Sequence, residues 1–210
     1  MHLVLQRMAL FRSKAEEKVR AAGYDPARLP PGQYLTEKWP VLHAGEVPAV
    51  DLTGWRLRVF GEVEEELTLD YDALRALPAT TVTTDIHCVT RWSRFDAGFT
   101  GVHWRDLAAR CRPTAAARFA IAHAEQGFTA NVPLVALEDE HALVAYDADG
   151  EPLTPDHGGP VRLVVPSRYF WKSAKWLTGI ELSAVDKPGF WERYGYHNDA
   201  DYRQEQRYGF

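Results

Sequence analysis

Short apolar stretches separated by turn residues run through most of this chain of 210 residues. In residues 55–60, large apolar side chains alternate with arginines, which is typical of a half-buried strand. Residues 143–146 are followed by Asp149-Gly150, a dipeptide that favours a hairpin turn. By these criteria, strands are predicted at 55–60, 67–69, 80–86, 118–122, 129–132, 143–146, 161–165 and 176–182.

Helical signals are fewer and are concentrated in the first half of the chain. Ser13 and Glu16 have the spacing of a capping box, and Gly23 is a typical helix terminator, so residues 1–23 are predicted to hold an N-terminal helix. A second helix carries Leu74 and Leu77, with Asp70 or Asp72 as its cap, and residues 104–111 predict a third. No clear hydrophobic periodicity is found in residues 24–50, which are rich in Pro and Gly, or in the tail 186–210.

This mixture predicts one α+β domain spanning residues 1–210, with mixed sheets and short helices. The composition, 46% hydrophobic and 25% charged, is that of a folded globular protein. A net charge of −5 argues against a nucleic-acid partner, and no apolar run reaches the roughly 18 residues of a membrane span. With two cysteines, Cys88 and Cys111, and no apolar leader at 1–12, we expect a cytoplasmic protein.

Two stretches carry side chains suited to chemistry. In the first, residues 85–93, Cys88 ends a predicted strand close to Arg91 and Arg94, whose charges favour a thiolate. A thiolate is a nucleophile or a ligand for a soft metal, although most free cysteines are inert and buried.

The second stretch is residues 156–176. Gly158 and Gly159 expose backbone N–H groups, while Arg162 and Lys175 have the charges that bind phosphate. The alternative is a simple Gly-Gly-Pro turn with its basic residues on the surface. The spacing alone leaves both interpretations open.

Taken together, these segments resemble the molybdopterin-binding domain of the sulfite oxidase family, particularly its short bacterial members. The similarity runs from about residue 31 to about residue 182, and the segment PGFWER at 188–193 resembles the tail of the short members. The matching segments are HCVTRWS at 87–93, LVAY at 143–146, DHGGPVRLVVP at 156–166 and KSAKW at 172–176. The resemblance implies that family's fold, a molybdenum–molybdopterin cofactor, and oxygen-atom transfer as the reaction.

The resemblance also implies roles for individual residues. Cys88 matches the family's single protein ligand to molybdenum, and Tyr146 matches a tyrosine at the substrate end of the site. Arg91 is a candidate for steering an anionic substrate, with pairing to Asp85 or Asp96 as its alternative. The positions implied to hold the cofactor are His43, His157, Arg162, Ser173, Ala174 and Lys175.

Two departures from the sulfite-oxidising pattern bear on the substrate. Leu42 stands where those members carry an arginine before the histidine, and Val89-Thr90-Arg91 replaces Ala-Gly-Asn-Arg after the cysteine. A sulfite dianion needs concentrated positive charge, so reduction of a small S- or N-oxide is slightly favoured over sulfite oxidation. No haem, flavin or iron–sulfur motif is present, so a separate electron-transfer partner protein is expected.

Two other functions are considered. Cys88 could be the nucleophile of a thiol hydrolase, with His157 or His123 as its base. Such an enzyme would have no use for the glycines, Arg162 or Lys175. The chain could also bind molybdopterin without catalysing a reaction.

Overall fold

The computed structural model describes residues 13–209, which form two β-sheets and four short α-helices. The helices are α1 (13–21), α2 (Tyr71–Arg75), α3 (Trp104–Cys111) and α4 (Phe190–Arg193). The strands are β1 (Tyr34–Leu35), β2 (Leu57–Gly61), β3 (Leu67–Leu69), β4 (Ala79–His87), β5 (Trp92–His103), β6 (Phe119–Ala124), β7 (Thr129–Pro133), β8 (Leu143–Ala148), β9 (Glu151–Pro152), β10 (Arg162–Val164) and β11 (Leu177–Ser183). The predicted α+β class is confirmed.

Both sheets are mixed. The first has six strands, with β1, β5, β8 and β10 in that order, while β4 pairs with β5 and β9 with β8. The second has five strands in the order β3-β2-β11-β6-β7. Each sheet contains one parallel pair, β1 with β5 and β2 with β11, and the remaining pairs are antiparallel.

Alternate residues of β8 divide between two apolar clusters. Val144 and Tyr146 belong to the main core, which also contains residues of the second sheet such as Ile180. Leu143 and Ala145 belong to a second cluster that contains Cys88. Because successive side chains of a strand point to opposite faces, Tyr146 and the Cys88 cluster lie on opposite faces of the first sheet.

The predicted strands are confirmed, with their ends shifted by one or two residues, and so are the helices around Leu74 and at 104–111. Asp70 is the cap of α2, accepting a hydrogen bond from the Ala73 N–H at 2.8 Å. Helix α1 ends before Gly23, whose φ of 84° is favourable only for glycine. Ser13, the predicted cap, is already helical, and residues 1–12 of the predicted segment lie outside the described residues.

Sequence patterns missed the longest strand, β5. Buried and less buried residues alternate over 95–101, but Gly98 and Gly101 and the buried polar residues Ser93 and His103 weaken its hydrophobic pattern. Its edges pair with three strands, and most of its side chains are buried. Within residues 13–209, none of the helices combines the length and apolarity needed to cross a membrane.

The tail, defined here as residues 186–209, is attached to the domain by a buried ion pair. The Lys172 ammonium lies 2.5 Å from Glu192 Oε1, and the two side chains are 0% and 3% exposed. Lys172 also donates to the side-chain oxygen of Asn131 at 2.9 Å, and the Asn131 amide donates to Asp186 at 2.7 Å. The Trp171 indole donates to the same Glu192 oxygen at 2.8 Å. An ion pair and hydrogen bonds therefore join the tail to β7 and to residues 171–172.

We predict that Lys172→Met lowers the free energy of unfolding by about 3–5 kcal/mol, because it leaves the Glu192 carboxylate buried without a cation. Urea unfolding followed by circular dichroism measures this loss. The matched control is Lys187→Met, whose ammonium pairs with Glu181 but is 52% exposed, so at most about 1 kcal/mol is expected. Equal losses in the two variants would contradict the role given to the buried pair.

Candidate active site

A cavity of about 500 Å³ brings together residues from distant parts of the chain. Its wall is built mainly from residues 39–45, 88–92, 170–176 and 190–196. Nine of the lining residues are aromatic. The aromatic side chains are those of Trp39, Trp92, Phe128, Phe170, Trp171, Trp176, Phe190, Trp191 and Tyr196.

Cys88 lies in this wall, in a tight turn between β4 and β5. Its N–H donates to the Trp92 carbonyl at 2.9 Å, and its carbonyl accepts from the Arg91 N–H at 3.0 Å. Thr90 donates its hydroxyl hydrogen to the sulfur of Cys88 at 3.1 Å. Burial raises the pKa of the thiol, while the Thr90 hydroxyl and the Arg207 charge act in the opposite direction. The sulfur is thus held in one place, with a donor that favours its anionic form.

Arg162, the first residue of β10, lines the same cavity and is 1% exposed. Its guanidinium donates to the backbone carbonyls of His157 and Ser173, both at 2.8 Å. Burial lowers its pKa to about 9. No carboxylate among residues 13–209 forms an ion pair with it, so its charge is buried and uncompensated.

Lys175 is a second cation of the cavity wall without a carboxylate partner in the described chain. Its ammonium donates to the Asp156 backbone carbonyl at 2.5 Å. Burial and the neighbouring Arg162 charge lower its pKa to about 8. One buried and one half-buried cation, both without a carboxylate partner, make this part of the cavity suited to an anion.

The two adjacent glycines do not serve the purpose expected from the sequence. The N–H groups of Gly158 and Gly159 donate to the carbonyls of Pro155 and Thr154, so they are not free for a ligand. Their role is to leave space. A Cβ on Gly158 would lie 2.8 Å from the Cβ of Lys175, and its φ of 98° also disfavours other residues. Glycine here lets Lys175 approach the turn closely.

The other predicted cofactor positions lie in or beside the cavity. Ser173, Ala174 and His43 line it. The Ser173 hydroxyl accepts from the Val165 N–H at 2.9 Å, so this side chain supports the backbone that faces Arg162. His157 lies behind the wall and stacks on Trp39, with ring centroids 3.9 Å apart.

The structure does not bring Tyr146 into this cavity. Its ring lies in the core between the sheets, with the Arg75 guanidinium 4.0 Å from the ring centroid. Burial raises the pKa of its hydroxyl. Its predicted role at the substrate stays a prediction, and the sheet places it on the face opposite the Cys88 cluster.

Arg91 is exposed and is not part of the cavity wall. The suggestion that it pairs with Asp85 or Asp96 is wrong, because Arg28 takes both carboxylates. The Arg28 guanidinium lies 2.7 Å from Asp85 and 2.6 Å from Asp96, and it also packs on Phe95. The role of Arg91 as a charge that steers an anionic substrate stays a prediction.

The geometry gives no support to a thiol hydrolase. His123 bonds to Glu181 at 3.1 Å in the second sheet, and His157 stacks on Trp39. In the described part of the chain, no histidine forms a hydrogen bond with the Cys88 sulfur. A cysteine nucleophile requires an adjacent base of this kind.

The donor set of the cavity fits a molybdopterin. A thiolate is a soft ligand of the kind that binds molybdenum in this class of cofactor, and the two cations of the wall suit a phosphate. The indole N–H of Trp92, which is buried in the wall, has no partner within residues 13–209 and could donate to a ligand. The aromatic side chains offer flat surfaces for a pterin ring.

Residues 44–191 match the family model of the oxidoreductase molybdopterin binding domain. The chain belongs to this family. It is a molybdopterin-dependent oxidoreductase of the sulfite oxidase-like type, and its cofactor is molybdenum–molybdopterin. The resemblance to the sulfite oxidase family, which the sequence segments indicated, is therefore confirmed.

Several characterised or named proteins are similar to this member of the family. The uncharacterized oxidoreductase YuiH of Bacillus subtilis is 47% identical over 86% of this chain and 92% of that protein. Rat mitochondrial sulfite oxidase is 29% identical over 80% of this chain but only 37% of its own length. The catalytic subunit of the protein-methionine-sulfoxide reductase MsrP of Campylobacter jejuni is 28% identical over 67% of this chain and 52% of its own.

Among solved structures, the sulfane dehydrogenase SoxCD of Paracoccus pantotrophus has a similar fold. The TM-score is 0.64 at 21% identity, covering 73% of this chain and 43% of that one. This molybdopterin-binding fold is the one expected from the sequence.

Sequence reasoning missed the aromatic wall. Trp39, Trp171, Trp191 and Tyr196 come from segments without a period, and nothing local indicates that they meet. The available signal was the concentration of aromatic residues in 190–196. Thr90 was also missed, although it lies two residues from Cys88.

We predict that Thr90→Val raises the pKa of Cys88, because the valine cannot donate a hydrogen bond to the thiolate. The measurement is the pH dependence of iodoacetamide alkylation in cofactor-free protein that carries Cys111→Ser, so that only Cys88 reacts. In Thr90→Val, the midpoint of the alkylation rate as a function of pH should move to higher pH. The control is Thr81→Val, which removes a hydroxyl that is hydrogen-bonded to Thr100 on β5. This variant should leave the midpoint of alkylation unchanged. An unchanged or lower midpoint in Thr90→Val would show that this hydrogen bond does not stabilise the thiolate.

Proposed function

We propose that this oxidoreductase reduces a small, uncharged S- or N-oxide by oxygen-atom transfer, with Cys88 as the protein ligand to molybdenum. The observation that carries the proposal is the composition of one cavity. It holds a fixed thiol and two cations without counter-ions, within a wall that also carries nine aromatic side chains.

The two cations hold the anionic end of the cofactor. Arg162 donates to the carbonyls of His157 and Ser173 and lines the cavity, where its other N–H groups bind the cofactor in this proposal. Lys175 reaches the same region from the segment after Ser173. The charge of a Cys88 thiolate also acts on Lys175, which places the thiol and the ammonium within electrostatic reach of one another.

The bound cofactor supplies two-electron redox chemistry and exchange of an oxygen atom. The chain holds the reacting groups in position and surrounds them with an environment of low dielectric constant. Thr90 holds the sulfur of Cys88, and the aromatic side chains of Trp39, Trp171 and Trp191 keep water away from the reacting atoms. A substrate with apolar substituents would gain contact area against these rings.

Charge favours an uncharged oxide over sulfite. The cations of the wall, Arg162 and Lys175, are committed to the cofactor, while Leu42 and Glu125 supply no positive charge. Arg91 is outside the wall. A dianion entering this cavity would find no further cation among the described lining residues, whereas a sulfoxide or amine oxide needs only a hydrogen-bond donor. The named activity of MsrP, reduction of methionine sulfoxide in proteins, belongs to the same chemical class.

Electrons for the reduction come, in this proposal, from a separate redox protein. The sequence carries no haem, flavin or iron–sulfur motif of its own. This chain matches only 37% of the length of rat sulfite oxidase.

The test is to express wild type, Cys88→Ser and Cys111→Ser in a host able to make the cofactor. We expect near-stoichiometric molybdenum and pterin in wild type, and reduction of methyl phenyl sulfoxide by dithionite-reduced methyl viologen. Cys88→Ser should lower turnover by about a hundredfold or more, because a serine replaces the sulfur ligand. Cys111→Ser, in α3 and outside the cavity, should retain wild-type turnover.

Two results would contradict the proposal. Loaded wild type that oxidises sulfite faster than it reduces any S- or N-oxide would show that the substrate class is wrong. Loaded wild type without turnover in either direction would favour a non-catalytic molybdopterin-binding protein.

A further inference from the structure

We propose that Arg207, in the tail, is a positioning residue for the metal site: it holds the turn that carries Cys88 and stabilises negative charge on the sulfur from outside the cavity. This inference rests on the proposed function, since it takes Cys88 as the protein ligand to molybdenum. Arg207 is not part of the cavity wall, so its effect on the metal is exerted through Cys88.

The turn of residues 88–91 is bound by two segments that are distant in the chain. The Arg207 guanidinium donates to the Val89 carbonyl at 2.6 Å, and the Gln33 side-chain amide donates to the Cys88 carbonyl at 3.0 Å. Both hydrogen bonds are buried. Because Val89 follows Cys88 directly, these bonds fix the peptide groups on the C-terminal side of the residue that bears the sulfur.

Arg207 is itself held by several contacts. It is 5% exposed, and its other nitrogens donate to the Pro31 carbonyl and to the Glu205 carboxylate, both at 3.2 Å. The guanidinium also lies 4.9 Å from the centroid of the Tyr169 ring. Since a guanidinium is planar and its donors are fixed relative to one another, these contacts together define its position.

Gly32 leaves the space that this arrangement needs. It lies between the residue that accepts from Arg207 and the residue that donates to Cys88. A Cβ at Gly32 would overlap the Glu205 carboxylate and would lie 3.2 Å from the Arg207 guanidinium. Its φ of 69° also disfavours other residues. The segment 31–33 and the end of the tail therefore pack together around the turn.

The charge of Arg207 also acts on the sulfur. Burial raises the pKa of the Cys88 thiol, while the Thr90 hydroxyl and the Arg207 charge act in the opposite direction. The Glu205 side chain, which pairs with Arg207, is 36% exposed, so water screens its charge, whereas Arg207 is buried. A positive charge near a metal ligand stabilises the reduced metal, which carries an additional electron, and therefore raises the reduction potential.

The experiment measures the reduction potential of the bound molybdenum in Arg207→Met, Arg207→Lys and Glu205→Gln, each loaded with the cofactor. A redox titration followed by electron paramagnetic resonance gives this potential without turnover. The matched control is Arg193→Met. Arg193 lies in the same tail and also donates to a backbone carbonyl, that of Pro188 at 3.1 Å, but it is exposed. Loaded Cys88→Ser is measured alongside, and circular dichroism checks that each variant is folded.

For Arg207→Met we expect a lower potential, with the ratio of reduced to oxidised metal at the wild-type midpoint falling at least about threefold, because a buried positive charge is lost. Arg207→Lys keeps the charge and should restore most of the wild-type potential. Glu205→Gln removes the neighbouring negative charge and should shift the potential in the opposite direction, by a smaller amount. A purely structural role would not give shifts of opposite sign. Arg193→Met should match wild type.

A wild-type potential in folded, loaded Arg207→Met, or shifts of the same sign in Arg207→Met and Glu205→Gln, would overturn the inference. If Arg207→Met does not fold or load, Glu205→Gln decides, and a wild-type or lower potential in that variant overturns the inference. A wild-type potential in Cys88→Ser would instead show that Cys88 is not a ligand, which contradicts the proposed function. A shift in Cys88→Ser without one in Arg207→Met would refute the role of Arg207 alone.

Discussion

A buried positive charge without a counter-ion is the constraint on which the site depends. The Arg162 guanidinium is held by two backbone carbonyls and meets no carboxylate within the described residues. Moving such a charge out of water is costly, and carbonyl dipoles compensate only part of that cost. Lys175 adds a second charge to the same wall. An anionic cofactor bound here would supply the missing compensation, and its binding would then be linked to the stability of the folded chain.

Much of the fold can be understood as support for this arrangement. Pairing of β10 with β8 places Arg162 beside Ala145, on the face of the first sheet that carries the Cys88 cluster. Gly158 lets Lys175 close against the preceding turn. The tail then completes the wall with Trp191 and Tyr196 and is secured by the Lys172–Glu192 pair. Distant segments of the chain are therefore each needed for one cavity.

The sequence predicted the parts of this structure that depend on local pattern. Half-buried strands such as β2 show alternation, and the cap at Asp70 has a short-range signature. Cys88, Arg162 and Lys175 were grouped through resemblance to a family, and the structure does place all three in one wall. Strand β5 was missed, because its two glycines and its buried polar residues weaken the hydrophobic alternation.

Other features depend on contacts between residues far apart in the chain. Tyr146 has the sequence context of a substrate residue, yet the period of two in β8 turns it towards the core between the sheets. Tyr196 lies in a tail without a period, and only the packing of Trp171 and Trp191 brings it to the cavity. The two glycines look like a ligand-binding loop, but their N–H groups are used within the turn. Such outcomes are set by tertiary structure, which a single sequence does not display.

The central claim is that Cys88 ligates molybdenum in this cavity. X-ray absorption at the molybdenum edge, on loaded wild type and loaded Cys88→Ser, tests it most directly. The account predicts one more sulfur neighbour around molybdenum in wild type than in the variant, with an oxygen or nitrogen neighbour taking its place. Identical sulfur counts in the two proteins would show that the metal is bound without Cys88 and would contradict the account.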